Sequence, residues 1–592
     1  DDPLMLDLGS NSLKGSIPTE LGELTTIALL QLALNSLTGP VPTEMTLLTD
    51  LTDLRLYNNS LTGSLPSELG RLTALTHLSL SSNSFVGTLP TELGRISPLQ
   101  NCYVYENELT GTIPTQLGLL AELKQLALHE NDLTGTLPKE LGLLEFLDYL
   151  NVRNNKLSGT LPTELYQLTS TTLLSLSSNL MTGTLPAELG QLTALIFLDI
   201  SSNLMKGTLP TELGRLTTMV TFLADKVQLN GTLPTELARM TSVELFSISM
   251  NLLTGTLPTE YGQMTNLQKF YADSNMLTGT LPSEYGQMTA LELFEVYNNQ
   301  LNGTLPTEWS TWSAATAISV GLNDLTGTLP PEWGQITALQ QLYAHTNKLS
   351  GTIPSEFAAL TDLQFCYMYN NSLTGTLPTV LGAMSALEAL SVKANSLAGT
   401  LPTELGQLSY MTTLEVSMNA FRGTLPTELG RMIALQVINA TDNLFNGTLP
   451  IELSQLPMFQ TLNVEANRFI GTLPTEFGQM TNLLDLNLND NFLTGTLPTE
   501  MASLSLLQVL HLQNNAFIGT VPTEFSELNN LMDFTFHGNN FTGSVNDILC
   551  LPTKQWATLQ SDCSVMMNGD VEIECQCCTI CCSGNGENCQ EM

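Results

Sequence analysis

The sequence predicts a solenoid of stacked coils, and two ladders of single residues predict it. Proline returns every 24 residues, in register, from Pro18 to Pro522, and only six of the 28 prolines (Pro3, Pro40, Pro98, Pro331, Pro457 and Pro552) fall outside the series. Asparagine keeps the same period at 22 of 23 positions from Asn11 to Asn539, with Val227 as the single departure. A fixed period between about 20 and 50 residues marks a repeat architecture, in which each unit buries its apolar face only against its neighbours. The invariant positions build the coil. Functional positions are to be sought among those that vary.

Within one coil the elements follow in order. After Leu99 the chain alternates, with apolar Cys102 and Val104 interleaved with Tyr103 and Tyr105. Alternation of period two predicts a short strand with one buried face. Leu126/Leu128, Leu150/Val152 and Leu174/Leu176 repeat it. The Asn that closes the strand must satisfy both its carbonyl and its amide, and stacked coils offer backbone partners in its own and the adjoining coil. The Gly four residues later (Gly15, Gly39 to Gly543) suits a tight turn of positive φ. Proline then fixes an extended segment. The stretch Thr91 to Leu99 spaces its apolar residues by three, which predicts a 3₁₀ turn on the opposite side of the coil.

Quoted in full, one coil reads Leu75-x-x-Leu78-x-Leu80-x-x-Asn83-x-Phe85-x-Gly87-x-Leu89-Pro90. This resembles the plant-type leucine-rich repeat, and the resemblance runs from about Leu4 to Val545. It implies a right-handed superhelix of about 22–23 coils, with a parallel sheet on the concave face and a second short sheet at the Gly-Thr-Leu-Pro segment. It also implies an extracellular recognition module of the kind found in receptor ectodomains, polygalacturonase-inhibitor-like proteins and adhesion proteins. The near-identical Gly-Thr-Leu-Pro-Thr-Glu turns and the Cys-Cys-x-x-Cys-Cys tail resemble secreted leucine-rich proteins of diatoms and related algae. Two departures from the family stand out. The chain opens at Leu4-Met5-Leu6 in mid-strand without an amino-terminal cysteine cap, and no kinase or anchor segment is visible.

Domain organisation follows as a solenoid over residues 1–545 and a Cys-rich cap over 546–592. Eight of the ten cysteines (Cys550, Cys563, Cys575, Cys577, Cys578, Cys581, Cys582 and Cys589) crowd that tail. A dense, even set reads as a disulfide framework and an oxidising compartment. Zinc competes poorly, because the tail has no histidine. Cys102 and Cys366 take buried Leu positions and are expected to be inert thiols. Seven sequons agree with secretion: Asn58, Asn230, Asn302, Asn370, Asn439, Asn446 and Asn540. The start at Asp1-Asp2-Pro3 reads as a mature or trimmed end. No run of about 18 apolar residues predicts a membrane span. The net charge of −37 argues against nucleic acid as partner.

The rare residues sort by repeat position. All five histidines and nine of thirteen tyrosines fall on outward strand positions. Two clusters emerge as candidate ligand contacts: Tyr103, Tyr105, His129, Tyr149 and Arg153, and then Tyr271, Tyr297, Tyr343, His345, Tyr367 and Tyr369. Aromatic groups on a sheet face are amphipathic contacts. His511 and His537 lie one coil apart, close enough to meet. Glu follows two residues after proline at 20 of 22 turns, with Gln116 and Val380 as exceptions. Stacking sets these carboxylates about 5 Å apart, a ladder that attracts cations such as calcium. Thr ladders (Thr88, Thr112, Thr136) raise ice or mineral association. No phosphate loop, Gly-x-Ser-x-Gly or His-Glu-x-x-His is present, so catalysis finds no motif. The reading is a non-enzymatic extracellular module that binds a glycan or protein through its concave face and needs no cofactor. The alternative is a structural subunit of an extracellular filament or wall layer that self-associates through its amino-terminal strand edge.

Overall fold

The computed structural model describes residues 4–552, 554–562, 573–583 and 588–591. It divides into two compact units, Asp1–Gln300 and Leu301–Met592. In the first, short parallel strands run from Leu4–Asp7 to Leu293–Glu295. Their register repeats every coil, so that Cys102 faces Leu78 on one side and Leu126 on the other. The second unit repeats this from Ala317–Ser319 to Asp533–Thr535. Its long sheet continues into the tail, where Thr558–Asp562 pairs in parallel with Asp533–Thr535 and Ile580–Ser583 pairs with Thr558–Asp562. Asn588–Glu591 closes it antiparallel.

On the convex side each proline stands extended before a five-residue 3₁₀ turn; Pro66, with φ −68° and ψ 134°, precedes Ser67–Arg71. The expected turn is thus present, and its side chains Leu69 and Leu72 join a core of fully buried leucines. Rings replace leucines in several places. Phe222, Phe246, Phe270 and Phe294 stack at 5.2–5.9 Å in the first unit. Trp309, Trp312 and Trp333 are fully buried in the second, where the Trp333 indole donates to the Pro306 carbonyl at 2.9 Å.

The Asn ladder works as its chemistry demands. Asn131 Oδ1 accepts from the Leu109 amide at 3.0 Å, and its Nδ2 lies 3.0–3.3 Å from the carbonyls of Val104, Leu128 and His129. Those partners belong to two coils, so each Asn cross-links neighbours. The residue before the Asn carries a feature the sequence hides. Ser82, Glu106 and Asn154 have φ of 53°, 52° and 52°, a left-handed conformation at non-glycine residues. The conserved Gly is needed for two reasons. Gly111 has φ +75°, and a Cβ there would lie 2.7 Å from the Thr88 methyl of the preceding coil.

A second sheet flanks the first, as expected, but it is interrupted. Eight strands run from Lys14–Ser16 to Leu180–Met181 in the first unit, and nine from Ser350–Gly351 to Asn540–Phe541 in the second. After Leu180–Met181 only a bridge between Gly207 and Leu229 precedes the pair Asn230–Gly231 and Leu252–Leu253. The gap resumes between Leu252–Leu253 and Ser350–Gly351 although Asn299, Asn323 and Asn347 still accept from Leu277, Leu301 and Leu325 in the preceding coils. Val227 offers no side-chain oxygen to do so, and it is fully buried instead.

Disulfides join Cys550 to Cys577, Cys575 to Cys578 and Cys582 to Cys589. Cys581 is disulfide-bonded too, and Cys563 lies outside the described residues. Cys102 and Cys366 are buried free thiols, their pKa pushed up to about 12 by burial.

Candidate ligand-binding face

Successive coils present one outward residue at each repeat position, so side chains 24 apart become neighbours across the long sheet. Tyr105, His129 and Arg153 form one such column. The rings of Tyr105 and His129 stack 4.3 Å apart, tilted by only 9°. Arg153 pairs with Glu130 at 2.6 Å, and its backbone N–H donates to Asn151 Oδ1 at 3.2 Å. Burial, then the Arg153 charge, push the His129 pKa down to about 4 against a weaker pull from Glu106. The imidazole is neutral at ordinary pH, and its Nδ1 is buried without a hydrogen-bond partner. Tyr103 lies one column away, edge-on to His77 at 5.3 Å, with its hydroxyl donating to Gln125. Tyr149 accepts from Asn151 at 3.0 Å. The first predicted cluster is therefore brought together, although its rings are half-buried rather than fully exposed.

The second predicted cluster draws on both units. Tyr271 and Tyr297 belong to the first unit; Tyr343, His345, Tyr367 and Tyr369 belong to the second. In the second unit His345 stacks on Tyr369 at 4.4 Å and 5°, and Tyr343 meets Tyr367 at 5.4 Å. Gly321 makes room for this stack, since a Cβ there would lie 2.9 Å from His345 Nε2. The reading of the sequence missed Gly321; its signal is a glycine at an outward strand position otherwise given to side chains. In the first unit Tyr271 and Tyr297 stand among carboxylates. Asp225 accepts from Ser247 Oγ at 2.6 Å and from the Ser249 amide at 2.7 Å, and Ser249 Oγ donates to Asp273. Burial raises the pKa of Asp225 and of Glu295, and both tyrosines are raised by burial and these acids.

The remaining candidates fall elsewhere. His511 pairs with Asp533 at 3.2 Å, whereas His537 is buried. The ligand-type clusters among the described residues are His537 with Cys582 and Cys589, and Cys550 with Cys575 and Cys577. Disulfides occupy all five of these sulfurs. Where Thr or Ser precedes it, a ladder glutamate can accept from that hydroxyl, as Glu92 does from Thr91 at 3.1 Å. Of the sequon asparagines, Asn439 is half-buried, its Nδ2 donating to Glu415 at 3.1 Å, and the other six are exposed. No helix of the described residues is long and apolar enough to cross a membrane.

No curated protein matches the chain significantly. Solved structures do. The plant peptide hormone receptor RGFR1, in complex with RGF2, superimposes with a TM-score of 0.91 and 31% identity, covering 94% of this chain and 90% of that one. The Arabidopsis receptor kinase HAESA, in complex with the peptide hormone IDA and the co-receptor SERK1, gives 0.82 and 27% identity, covering 100% and 92%. A TDR receptor gives 0.84 and 26%, covering 89% and 92%. The Leucine Rich Repeat family profile matches residues 50–72, 74–96, 146–168 and 506–528. With its ladders, its paired sheets and a relative alike over nine-tenths of both chains, the chain belongs to the leucine-rich repeat proteins.

Proposed function

We propose that this protein is an extracellular, non-catalytic recognition module that holds a polypeptide on its long-sheet face, with residues 546–592 as a disulfide-stapled cap. The stack of His129 on Tyr105 carries the reading. It is a flat, half-buried, uncharged aromatic surface whose imidazole has an unsatisfied nitrogen, and such a surface gains by being covered. The similar stack of His345 on Tyr369 supports it. Of the two ligand classes the sequence left open, glycan and protein, the peptide complexes of RGFR1 and HAESA favour a polypeptide. Local charge favours a basic one. Glu106 and Glu130 border the first stack, Glu415 lies near Tyr367 and Tyr369, and Asp225, Asp273 and Glu295 surround Tyr271 and Tyr297.

The test is a selection of displayed random peptides on the secreted protein, followed by affinity measurements with Tyr105→Ala, His129→Ala and Tyr369→Ala. Selected peptides are expected to be rich in Lys, Arg and aromatic residues and to lose at least about tenfold in affinity with a stack removed, the scale of a truncated aromatic contact. Peptides that bind all three variants unchanged would place recognition on another face.

A further inference from the structure

The outer face of the second sheet gathers its large apolar side chains late in the second unit. In these strands residue pairs face outward in a zigzag set by the register. Through the first unit that line reads Lys14–Ser36, Thr38–Ser60, Thr62–Ser84, Val86–Glu108, Thr110–Asp132 and Thr134–Lys156. Ser158–Leu180 and Asn230–Leu252 follow, so the line is polar but for Val86, Leu180 and Leu252, which stand singly. In the second unit it opens with Ser350–Ser372 and Thr374–Ser396, passes through Ala398–Ala420, Arg422–Leu444 and Asn446–Arg468, and then Ile470 pairs with Phe492, Thr494 with Ala516 and Ile518 with Asn540. Phe492 is 60% exposed, Ile470 52% and Ile518 49%. The directly paired Ile470 and Phe492, with Ile518 beyond Thr494 and Ala516 in the following strand, make an exposed apolar surface that soluble proteins seldom leave bare.

This apolar strip is bounded by two sequon asparagines on the same outer face. Asn540 pairs with Ile518 itself, and Asn446 pairs with Arg468, two residues from Ile470. Both are exposed, and so are the sequon threonines Thr448 and Thr542. We infer that Asn446 and Asn540 carry N-linked oligosaccharides that lie over the Ile470–Phe492–Ile518 strip and keep it from pairing with a second copy. The apolar faces of sugar rings suit an aromatic ring flanked by aliphatic groups. The modification joins the Asn amide nitrogen to the anomeric carbon of a lipid-pyrophosphate-linked oligosaccharide. The N–C bond forms, the C–O bond to pyrophosphate breaks, and the amide proton leaves to a base. The inference rests on the extracellular reading, because only a secreted chain meets that donor.

The experiment uses the full chain secreted from a eukaryotic host. Peptide mass mapping after enzymatic deglycosylation reads the occupancy of each sequon. Bis-ANS fluorescence and sedimentation velocity then compare wild type with Thr448→Ala/Thr542→Ala and, as a control, with the removal of sequons at Asn58 and Asn370. The strip-flanking variant is expected to bind dye severalfold more strongly and to self-associate, and adding Phe492→Ser is expected to reverse both. The control variant is expected to change neither. Occupied Asn58 and Asn370 with bare Asn446 and Asn540 would overturn this inference and leave the extracellular reading standing. No occupied sequon anywhere would overturn both. Full occupancy with unchanged dye binding and sedimentation in the strip-flanking variant would overturn the shielding role.

Discussion

His129 makes the stacked site testable by pH alone. Its folded pKa is about 4 against 6.5 in an exposed state, so the unfolded chain takes up the proton first as pH falls. Stability is therefore flat above about pH 6.5, declines between 6.5 and 4, and is flat again below, where both states are charged. At about 1.4 kcal/mol per unit the shift corresponds to about 3 kcal/mol for a ring shut off from solvent. His129 is only half-buried, so screening leaves roughly half of that. Other groups titrate in the same window: His345 and His537 are lowered by burial and act in the same direction, while Asp225, Glu295 and Asp485 are raised and act oppositely. The informative quantity is thus the difference between wild type and His129→Gln. Hydrogen exchange of amides around the stack, followed from pH 7 to pH 4, is expected to show wild type losing about 1–2 kcal/mol more than the variant. The imidazole signals of His129 are expected to titrate well below the ordinary range, and Arg153→Gln, which removes a charge that opposes protonation, is expected to move the midpoint up. A His129 midpoint at the ordinary value, or parallel pH profiles for wild type and His129→Gln, would refute the burial and charge argument.

Three further outcomes follow from the fold. Asn131→Ala strands the Leu109 amide and leaves the Val104 carbonyl with Asn107 Nδ2 as its remaining side-chain donor, and is expected to cost about 1–3 kcal/mol locally, read as lost exchange protection at Leu109; Asn131→Asp, which keeps the acceptor, is expected to retain that amide's protection better. Cys102 and Cys366 are expected to resist alkylation in the native protein and to react in denaturant, whereas labelling of either under native conditions would contradict its burial. Asn439 is expected to carry no glycan even where Asn58 and Asn370 do, because its amide is held by Glu415 on the long sheet; mass mapping decides.

Much of the coil could be read from the chain because stacking forces each invariant residue to serve two coils at once. Asn131, Gly111 and the prolines could be interpreted singly, from their own chemistry. Three features could not. The left-handed backbone at Ser82 and Glu106 leaves no trace of glycine, and it recurs at Lys226, which Val227 follows in place of the ladder Asn. The assignment of Tyr271 and Tyr297 to one compact unit and of Tyr343 and Tyr367 to the other is concealed by a strict period. The partners within Cys575-Gln-Cys577-Cys578 require three-dimensional geometry, because adjacent cysteines offer several pairings of equal sequence plausibility. Gly321 is an intermediate case: a glycine on an outward strand position was visible, but the ring it accommodates was not.

The proposed ligand's charge can be argued from where the protein's few cations go. The chain has 56 acidic residues against 19 Lys and Arg. Several of those cations are already engaged: Arg55 with Asp53, Arg153 with Glu130, Lys156 with Asp132 and Lys348 with Asp324, all within 2.7 Å. Pairing of this kind leaves the net surplus of carboxylates facing solvent, and the aromatic stacks sit among them. An acidic ligand would meet repulsion on every approach, whereas a basic peptide would be drawn in and then held by stacking. Those two contributions separate with salt. Between about 0.15 M and 1 M the screening length falls from about 8 Å to about 3 Å, which slows association while leaving aromatic contacts intact. Peptides bound at this face are therefore expected to lose association rate with added salt and to keep a dissociation rate set by Tyr105 and Tyr369. An association rate indifferent to salt would remove charge from the recognition and leave the stacks alone to account for it.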